Sequence, residues 1–212
     1  MIRFYRMTKY SNVMKTEDRI YFEEKLQSTG RKEMESVLSN LDSLGFFTAP
    51  ASTAFHLNCE GGLLKHSVNV CREALALREK QIELRPECEA LLPTDSVIIA
   101  SLLHDTCKAD IYKTEIKSRK KENGEWEKYV GYGVDYSSLP VGHGEKSVIR
   151  LLQWGLEMTD EEILAIRWHM QAWDLGFQSP EMKANLSTAK SKTPLVALIT
   201  AADGLASFVL EA

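Results

Sequence analysis

The strongest constraint on the fold is an apolar run that ends abruptly in two ionisable side chains. Segment 96–103 reads SVIIASLL and is followed directly by His104 and Asp105. Because its middle is apolar around the whole helical circumference, we expect a central buried helix over 94–107. Such a helix carries His104 and Asp105 into the interior, where an ionised carboxylate needs a compensating partner.

Helical spacing of apolar residues dominates the rest of the chain. We expect helices over these further segments: 17–28, 31–44, the stretch from 61 that carries His66, 144–155, 159–170 and 194–211. The helix over 159–170 opens with a Thr159/Glu162 capping box. Between 112 and 136 polar and apolar residues alternate around a turn at 122–125, which predicts a β-hairpin. The expected fold class is therefore all-α, with a small hairpin insertion.

The length of 212 residues allows one sizeable core but hardly two enzyme domains. We expect one domain over 1–212, with a helical cap at 1–60 and the core at 61–212. No stretch approaches the roughly 18–20 apolar residues of a membrane span, and the N-terminus has no apolar signal core. Four cysteines without a CxxC pair fit a reducing compartment. These features predict a cytoplasmic protein without membrane insertion.

The net charge of −4 argues against a surface that coats extended nucleic acid. A locally basic cleft for a small phosphorylated ligand remains compatible with it. Composition alone therefore excludes some partners and names no substrate.

Six side chains of metal-ligating type fall at helix ends or on inward faces of predicted helices: His66, His104, Asp105, His143, His169 and Asp203. Each has an ordinary explanation when it is taken alone. His66 could be a hydrogen-bonded core histidine, His143 part of a surface loop, and His169 a partner of a helix C-terminus. Asp203 could pair with a buried cation or lie at a solvent-exposed edge of its helix. Because these explanations must all hold at once, we favour a metal site.

His104 and Asp105 are neighbours, so on a regular helix their side chains point about 100° apart. They can share one ion only where the helix ends or where the ion lies near the helix axis. The apolar run stops at this point, which supports convergence.

The sequence resembles the HD-domain superfamily of metal-dependent phosphohydrolases from about Gly61 to Phe208. The resemblance rests on the order of His66, the His104-Asp105 pair and Asp203, and on the segments GGLLKHS and LLHDTCK. It is closest to the HD modules of bacterial 3′-to-5′ exoribonucleases and related small hydrolases. It implies an HD-type helical bundle.

The resemblance also implies a dinuclear centre, with Asp105 bridging two ions. His66, His104 and Asp203 would complete one ion's shell, and His143 with His169 the other's. Nitrogen and oxygen donors without thiolate suit Mn, Fe, Co or Zn. The implied reaction is hydrolysis of a phosphoester by metal-activated water.

Basic residues near the predicted site are candidates for binding a phosphate. Lys108 lies one turn beyond His104, matches the HDxxK form of the motif and is expected to act in catalysis and substrate binding; otherwise it is an exposed lysine. Lys146 and Arg167 are further candidates, with a solvated surface as the alternative. The hairpin run of Lys117, Arg119, Lys120 and Lys121 with Trp126 forms either a lid or a solvated turn. His56 is left outside the ligand set.

Three functions remain open. The first is a phosphohydrolase, a phosphomonoesterase or phosphodiesterase, that acts on a nucleotide or another small phosphoester. The second is an oxygenase with a dinuclear iron centre, because some members of the same fold activate oxygen. The third is a non-catalytic sensing or interaction module with a structural metal site, which is favoured if His143 or His169 points away from the metal and the remaining shell is closed to water. GYG at 131–133 differs from the Gly-Tyr-Pro signature of cyclic dinucleotide phosphodiesterases. The predicted helices of 1–60 do not resemble a nucleic-acid-binding OB module.

Overall fold

The computed structural model describes residues 15–171 and 179–211. The described part is mostly helical and contains one two-stranded antiparallel sheet, which confirms the expectation of a helical fold with a hairpin. Its helices and strands are α1 Glu17–Ser28, α2 Met34–Ser43, α3 Gly62–Leu84, α4 Cys88–Leu91, α5 Thr94–Leu103, β1 Tyr112–Lys120, β2 Trp126–Val134, α6 His143–Gln153, α7 Asp160–Trp168, α8 Pro180–Lys192 and α9 Pro194–Leu205. A 3₁₀-helix at Thr106–Asp110 and a π-helix at Ala206–Leu210 complete it.

Helix α5 lies at the centre of the packing, as its composition predicts. Every residue from Ser96 to Leu103 is buried, and α5 contacts α1, α3, α7 and α9. The predicted helix over 94–107 is too long, because α5 ends at Leu103 and a 3₁₀-helix follows from Thr106. His104 keeps helical backbone dihedrals, whereas Asp105, at φ −99° and ψ 20°, leaves the helix.

Helices α3, α6, α7 and α9 each carry one further predicted ligand, within the helix or at its end. α3 packs against α5 and α9, while α7 packs against α5, α6 and α9. Phe22 and Val37 of the first two helices belong to the same apolar core as the residues of α3 and α5. The short helix α4 and the 13-residue helix α8 lie outside the predicted set of helices.

Two glycines permit the close packing that positions the histidines. A Cβ on Gly62, at the start of α3, would overlap the backbone oxygen of Leu57. A Cβ on Gly144, near the start of α6, would overlap the backbone of Arg167 in α7. Since only glycine lacks a Cβ, Gly62 lets the loop at Leu57 approach the start of α3, and Gly144 lets the start of α6 approach α7.

The capping box of α7 is confirmed and also joins distant parts of the chain. Thr159 Oγ1 accepts from Glu162 N, and the Glu162 carboxylate accepts from Thr159 N. The same carboxylate is fully buried, accepts from Ser96 Oγ of α5 at 2.7 Å, and pairs with Arg31. Glu162 therefore links the turn before α2 to α5 and α7.

No single helix in the described ranges is long and apolar enough to cross a membrane. One bent pair, α8 with the chain from Pro194 to Leu210, passes a test of length and composition jointly, with an angle of 102° between its halves.

Replacing Arg31 with alanine is expected to lower the free energy of unfolding by about 3 kcal/mol, because it leaves the buried Glu162 carboxylate without its cation. Chemical denaturation followed by circular dichroism measures this change. Lys32→Ala is the matched control at the exposed neighbouring position and should change stability by less than about 0.5 kcal/mol. Equal stability of the two variants would contradict a structural role for this ion pair.

Candidate metal centre

The six predicted ligands converge on one buried cluster. Five helices or their ends supply them: His66 from α3, His104 and Asp105 from the end of α5, His143 from the first residue of α6, His169 from the end of α7, and Asp203 from α9. Sets of three of these side chains have donor atoms that all lie within 4.8 Å of one another. These buried histidine and aspartate groups could hold metal ions.

The Asp105 carboxylate is the centre of the cluster, and its side chain is only 2% exposed. Its Oδ1 lies 2.7 Å from His143 Nε2 and 3.5 Å from His169 Nε2. Its Oδ2 lies 3.3 Å from His104 Nε2 and 3.6 Å from His66 Nε2. Each oxygen thus faces a different pair of imidazoles, which is the arrangement that a bridging carboxylate needs.

Backbone carbonyls orient two of the histidines. His104 Nδ1 lies 2.7 Å from the carbonyl oxygen of Ser101, and His169 Nδ1 lies 2.7 Å from that of Ile166. A carbonyl can only accept, so in each ring Nδ1 carries the proton. Nε2 of each ring is then the nitrogen that faces Asp105, as in histidines that bind a metal.

Two observations show that the residues fit a metal. His169 Nε2 is buried and has no hydrogen-bond partner among the described residues, a cost that a bound ion would remove. His66 Nε2 and His104 Nε2 lie 3.3 Å apart, close to the roughly 3 Å that separates adjacent ligands at about 2.1 Å from one ion. Two nitrogens at this separation need a proton or a cation between them.

Charge in the cluster is balanced inside the protein. Burial opposes ionisation of Asp105, but Lys108 and His104 outweigh it and hold the pKa of this carboxyl well below its usual range. Burial likewise disfavours the charged form of His66, yet hydrogen bonds to Asp203 and Glu211 raise its pKa to about 9. Without a metal ion, cationic side chains therefore neutralise the carboxylates.

His169 differs from His66 in its protonation. Burial lowers the pKa of His169 below the ordinary histidine value, and the neighbouring His104 acts in the same direction. A neutral imidazole is the form that binds metals.

Asp203 is compensated by an imidazole. Its Oδ1 lies 3.3 Å from His66 Nε2, and Ser207 Oγ donates to the same oxygen at 3.3 Å. Although burial opposes ionisation, the hydrogen bond with His66 and the nearby His104 and His169 hold the pKa of Asp203 below its usual value. Its 19% exposed side chain also faces the cavity beside the cluster.

A cavity of about 540 Å³ opens onto the cluster, within the range of about 300–1,000 Å³ that is typical of small-molecule sites. Asp105, His169 and Asp203 line its floor. Lys108 lines it as well, with Nζ 2.7 Å from Asp105 Oδ2. Burial alone would lower the pKa of Lys108, but Asp105 and Tyr112 raise it above the ordinary lysine value. The amine is therefore a permanent positive charge beside the cluster.

The other predicted phosphate-binding residues are held elsewhere. Lys146 is 3% exposed and its Nζ pairs with Asp110. Arg167 pairs with Glu145, and its guanidinium lies 4.0 Å from the centre of the Trp168 ring. Neither residue lines the cavity. The structure thus does not bring them to the cluster, because nearby acidic or aromatic groups engage their charges.

The basic run of the hairpin also lies away from this cavity. Arg119 and Lys121 pair with Glu127, and Lys117 pairs with Glu115. Trp126 is 71% exposed, and no hairpin residue lines the cavity. These contacts fit a solvated hairpin and do not support a lid.

Two residues at the cluster lie outside the predicted ligand set. His56, in the loop before α3, lines the cavity, and its ring centre lies 5.1 Å from that of His66. Glu211 contacts His66 Nδ1 at 3.1 Å. No helical pattern marks His56, although it precedes the Gly61-Gly62 pair by a few residues. Glu211 does not lie on the apolar face of the predicted helix over 194–211, so helical spacing does not point to it.

No family model matches the sequence, and no curated protein or solved structure matches it either.

Proposed function

We propose that this protein is a metal-dependent phosphohydrolase of the HD type that acts on a nucleotide or another small phosphoester. One observation carries the proposal: a buried carboxylate, Asp105, meets an imidazole pair at each of its oxygens on the floor of a cavity that also contains Lys108. The order of the ligands along the chain, which resembles that of HD phosphohydrolases, adds to this.

The cluster divides naturally into two ion positions around Asp105. His143 and His169 face Oδ1, whereas His66 and His104 face Oδ2. Asp203 lies on the second side, against His66. We propose two divalent ions, with Asp105 as the shared ligand. Because the donors are imidazoles and carboxylates, Mn, Fe, Co or Zn are the candidate metals.

Bound ions of this kind lower the pKa of a coordinated water and offset charge on phosphoryl oxygens. The protein contributes orientation and charge. Carbonyls fix His104 and His169 with Nε2 towards Asp105, so little reorganisation is needed on binding. The Lys108 amine supplies a positive charge at the cavity floor, where it can bind a substrate phosphoryl group.

The rival functions have different requirements. A non-catalytic module is favoured if His143 or His169 points away from the cluster and the remaining shell is closed to water, but both rings face Asp105 and a cavity opens onto the cluster. A dinuclear iron oxygenase would use the same ligands, so an experiment must separate it from the hydrolase. The cavity volume suits a small substrate better than an extended nucleic acid.

The proposal predicts that freshly purified protein carries about two transition-metal ions per chain and releases product from a phosphoester under anaerobic conditions. Elemental analysis measures the metal. A screen of phosphomonoesters, nucleotides and cyclic nucleotides with added Mn, Fe, Co or Zn measures turnover. The iron-loaded protein could instead take up oxygen in the presence of substrate and cleave no phosphoester under anaerobic conditions. That result would support the oxygenase and contradict the hydrolase.

Asp105→Asn is expected to reduce metal affinity by more than about 10-fold and to abolish turnover, because it removes the shared anionic ligand from both positions. Asp95→Asn is a matched control, since Asp95 is exposed at the other end of α5. Metal content after dialysis and unfolding curves of both variants provide the measurements. A folded Asp105→Asn protein with wild-type metal content and turnover would exclude the bridging role.

Lys108→Ala should lower kcat/KM on the order of 100-fold while metal content stays the same, because a positive charge near a cation site does not help that cation to bind. Steady-state kinetics with elemental analysis separates the two effects. Lys65→Ala, which removes an exposed lysine beside His66, should match the wild type in both. Loss of metal in parallel with loss of turnover would instead assign Lys108 a structural role.

A further inference from the structure

His66 has a second carboxylate on the side of its ring that faces away from the cluster. Glu211 Oε2 and Oε1 lie 3.1 and 3.2 Å from His66 Nδ1, while His66 Nε2 faces His104 and Asp203 at 3.3 Å. The two nitrogens of one imidazole thus have separate partners. A ring that keeps a proton on Nδ1 offers Nε2 alone to a metal.

Burial and hydrogen bonds hold the Glu211 side chain in this position. Its side chain is 1% exposed, and Asn69 Nδ2 of α3 donates to Oε1 at 3.0 Å. Burial opposes ionisation, yet the hydrogen bond from His66 keeps the pKa of Glu211 below its usual value. A buried carboxylate with two donors has a defined position, so it can restrain the ring that it contacts.

A local irregularity in the last helix brings Glu211 to His66. Asp203 and Glu211 are eight residues apart, which in a regular α-helix separates their directions by about 80°. The chain is not a regular α-helix here, because Ala206–Leu210 form a π-helix, in which Glu211 N donates to Ala206 O at 3.0 Å. One additional residue in a turn reduces the angular offset to about 20°. Asp203 and Glu211 therefore both reach the His66 ring.

We propose that Glu211 is a positioning residue for the metal centre: its carboxylate accepts a hydrogen bond from His66 Nδ1–H and holds Nε2 towards the ion. His104 and His169 obtain the same orientation from backbone carbonyls, but the Nδ1 of His66 faces this carboxylate instead. The inference rests on the proposed metal centre and not on phosphoester hydrolysis. Under this proposal Glu211, the residue that follows the π-helix, is part of the metal centre.

The test compares cobalt(II) binding to the wild type and to two variants in the absence of substrate. Glu211→Ala removes the acceptor and should weaken cobalt binding about 10–100-fold. It should also change the visible absorption bands of the bound cobalt, because His66 is no longer held in place. Glu211→Gln retains an oxygen that can accept from both His66 and Asn69, so its affinity should remain within about threefold of the wild type.

Glu60→Ala is the matched control, since Glu60 is an exposed carboxylate just before α3. Its cobalt affinity and spectrum should equal those of the wild type. Wild-type affinity and spectrum in Glu211→Ala would overturn the inference, and so would a Glu211→Gln protein that binds as weakly as Glu211→Ala. Should Glu211→Ala fail to fold, Asn69→Ala frees the carboxylate from its second donor, and an unchanged cobalt spectrum in that protein would contradict positioning.

These outcomes are distinguishable from failure of the proposed hydrolase. Wild-type protein that binds cobalt but cleaves no phosphoester would remove the proposed activity and leave the role of Glu211 intact. Wild-type protein that binds no cobalt would remove the metal centre and, with it, this inference.

Discussion

The burial of the Asp105 carboxylate is the constraint on which the rest of the site depends. A buried ionised carboxylate without partners costs several kcal/mol, and Asp105 is 2% exposed. Its compensation comes from separate elements, since His104 at the end of α5 and His143 at the start of α6 both hold the pKa of this carboxyl down. Lys108 adds a cation from the 3₁₀-helix. Packing of these helices around α5 is therefore also the assembly of the cluster.

Orientation in the cluster depends on groups that are not themselves ligands. Backbone carbonyls determine which nitrogen of His104 and of His169 faces inwards, and the Glu211 carboxylate contacts the corresponding nitrogen of His66. Gly144 lets the helix that begins at His143 approach α7. Such supporting contacts limit the reorganisation that metal binding needs, which is how a protein gains affinity beyond the mere presence of ligands.

Much of the fold could be predicted because local signals agree with the tertiary structure. The capping box at Thr159 and Glu162 marks the start of α7 correctly, and alternation predicts the hairpin at 112–136. Helix α8 was missed, since Pro180–Lys192 is largely polar and exposes most of its surface. The predicted helix over 94–107 extends past the end of α5, because Cys107 is buried like a residue of a core helix but lies in the 3₁₀-helix.

The sequence by itself determined which residue types could bind a metal and that they would lie on helix ends and inward faces. The tertiary structure decided which of the charged residues reach the cluster: Lys108 does, whereas Lys146 is paired with Asp110. It also brought in Glu211 through a π-turn that helical periodicity does not describe. The physical reason is that sequence spacing specifies direction only within one regular helix, while contacts between helices depend on where each helix ends and how closely its neighbours pack.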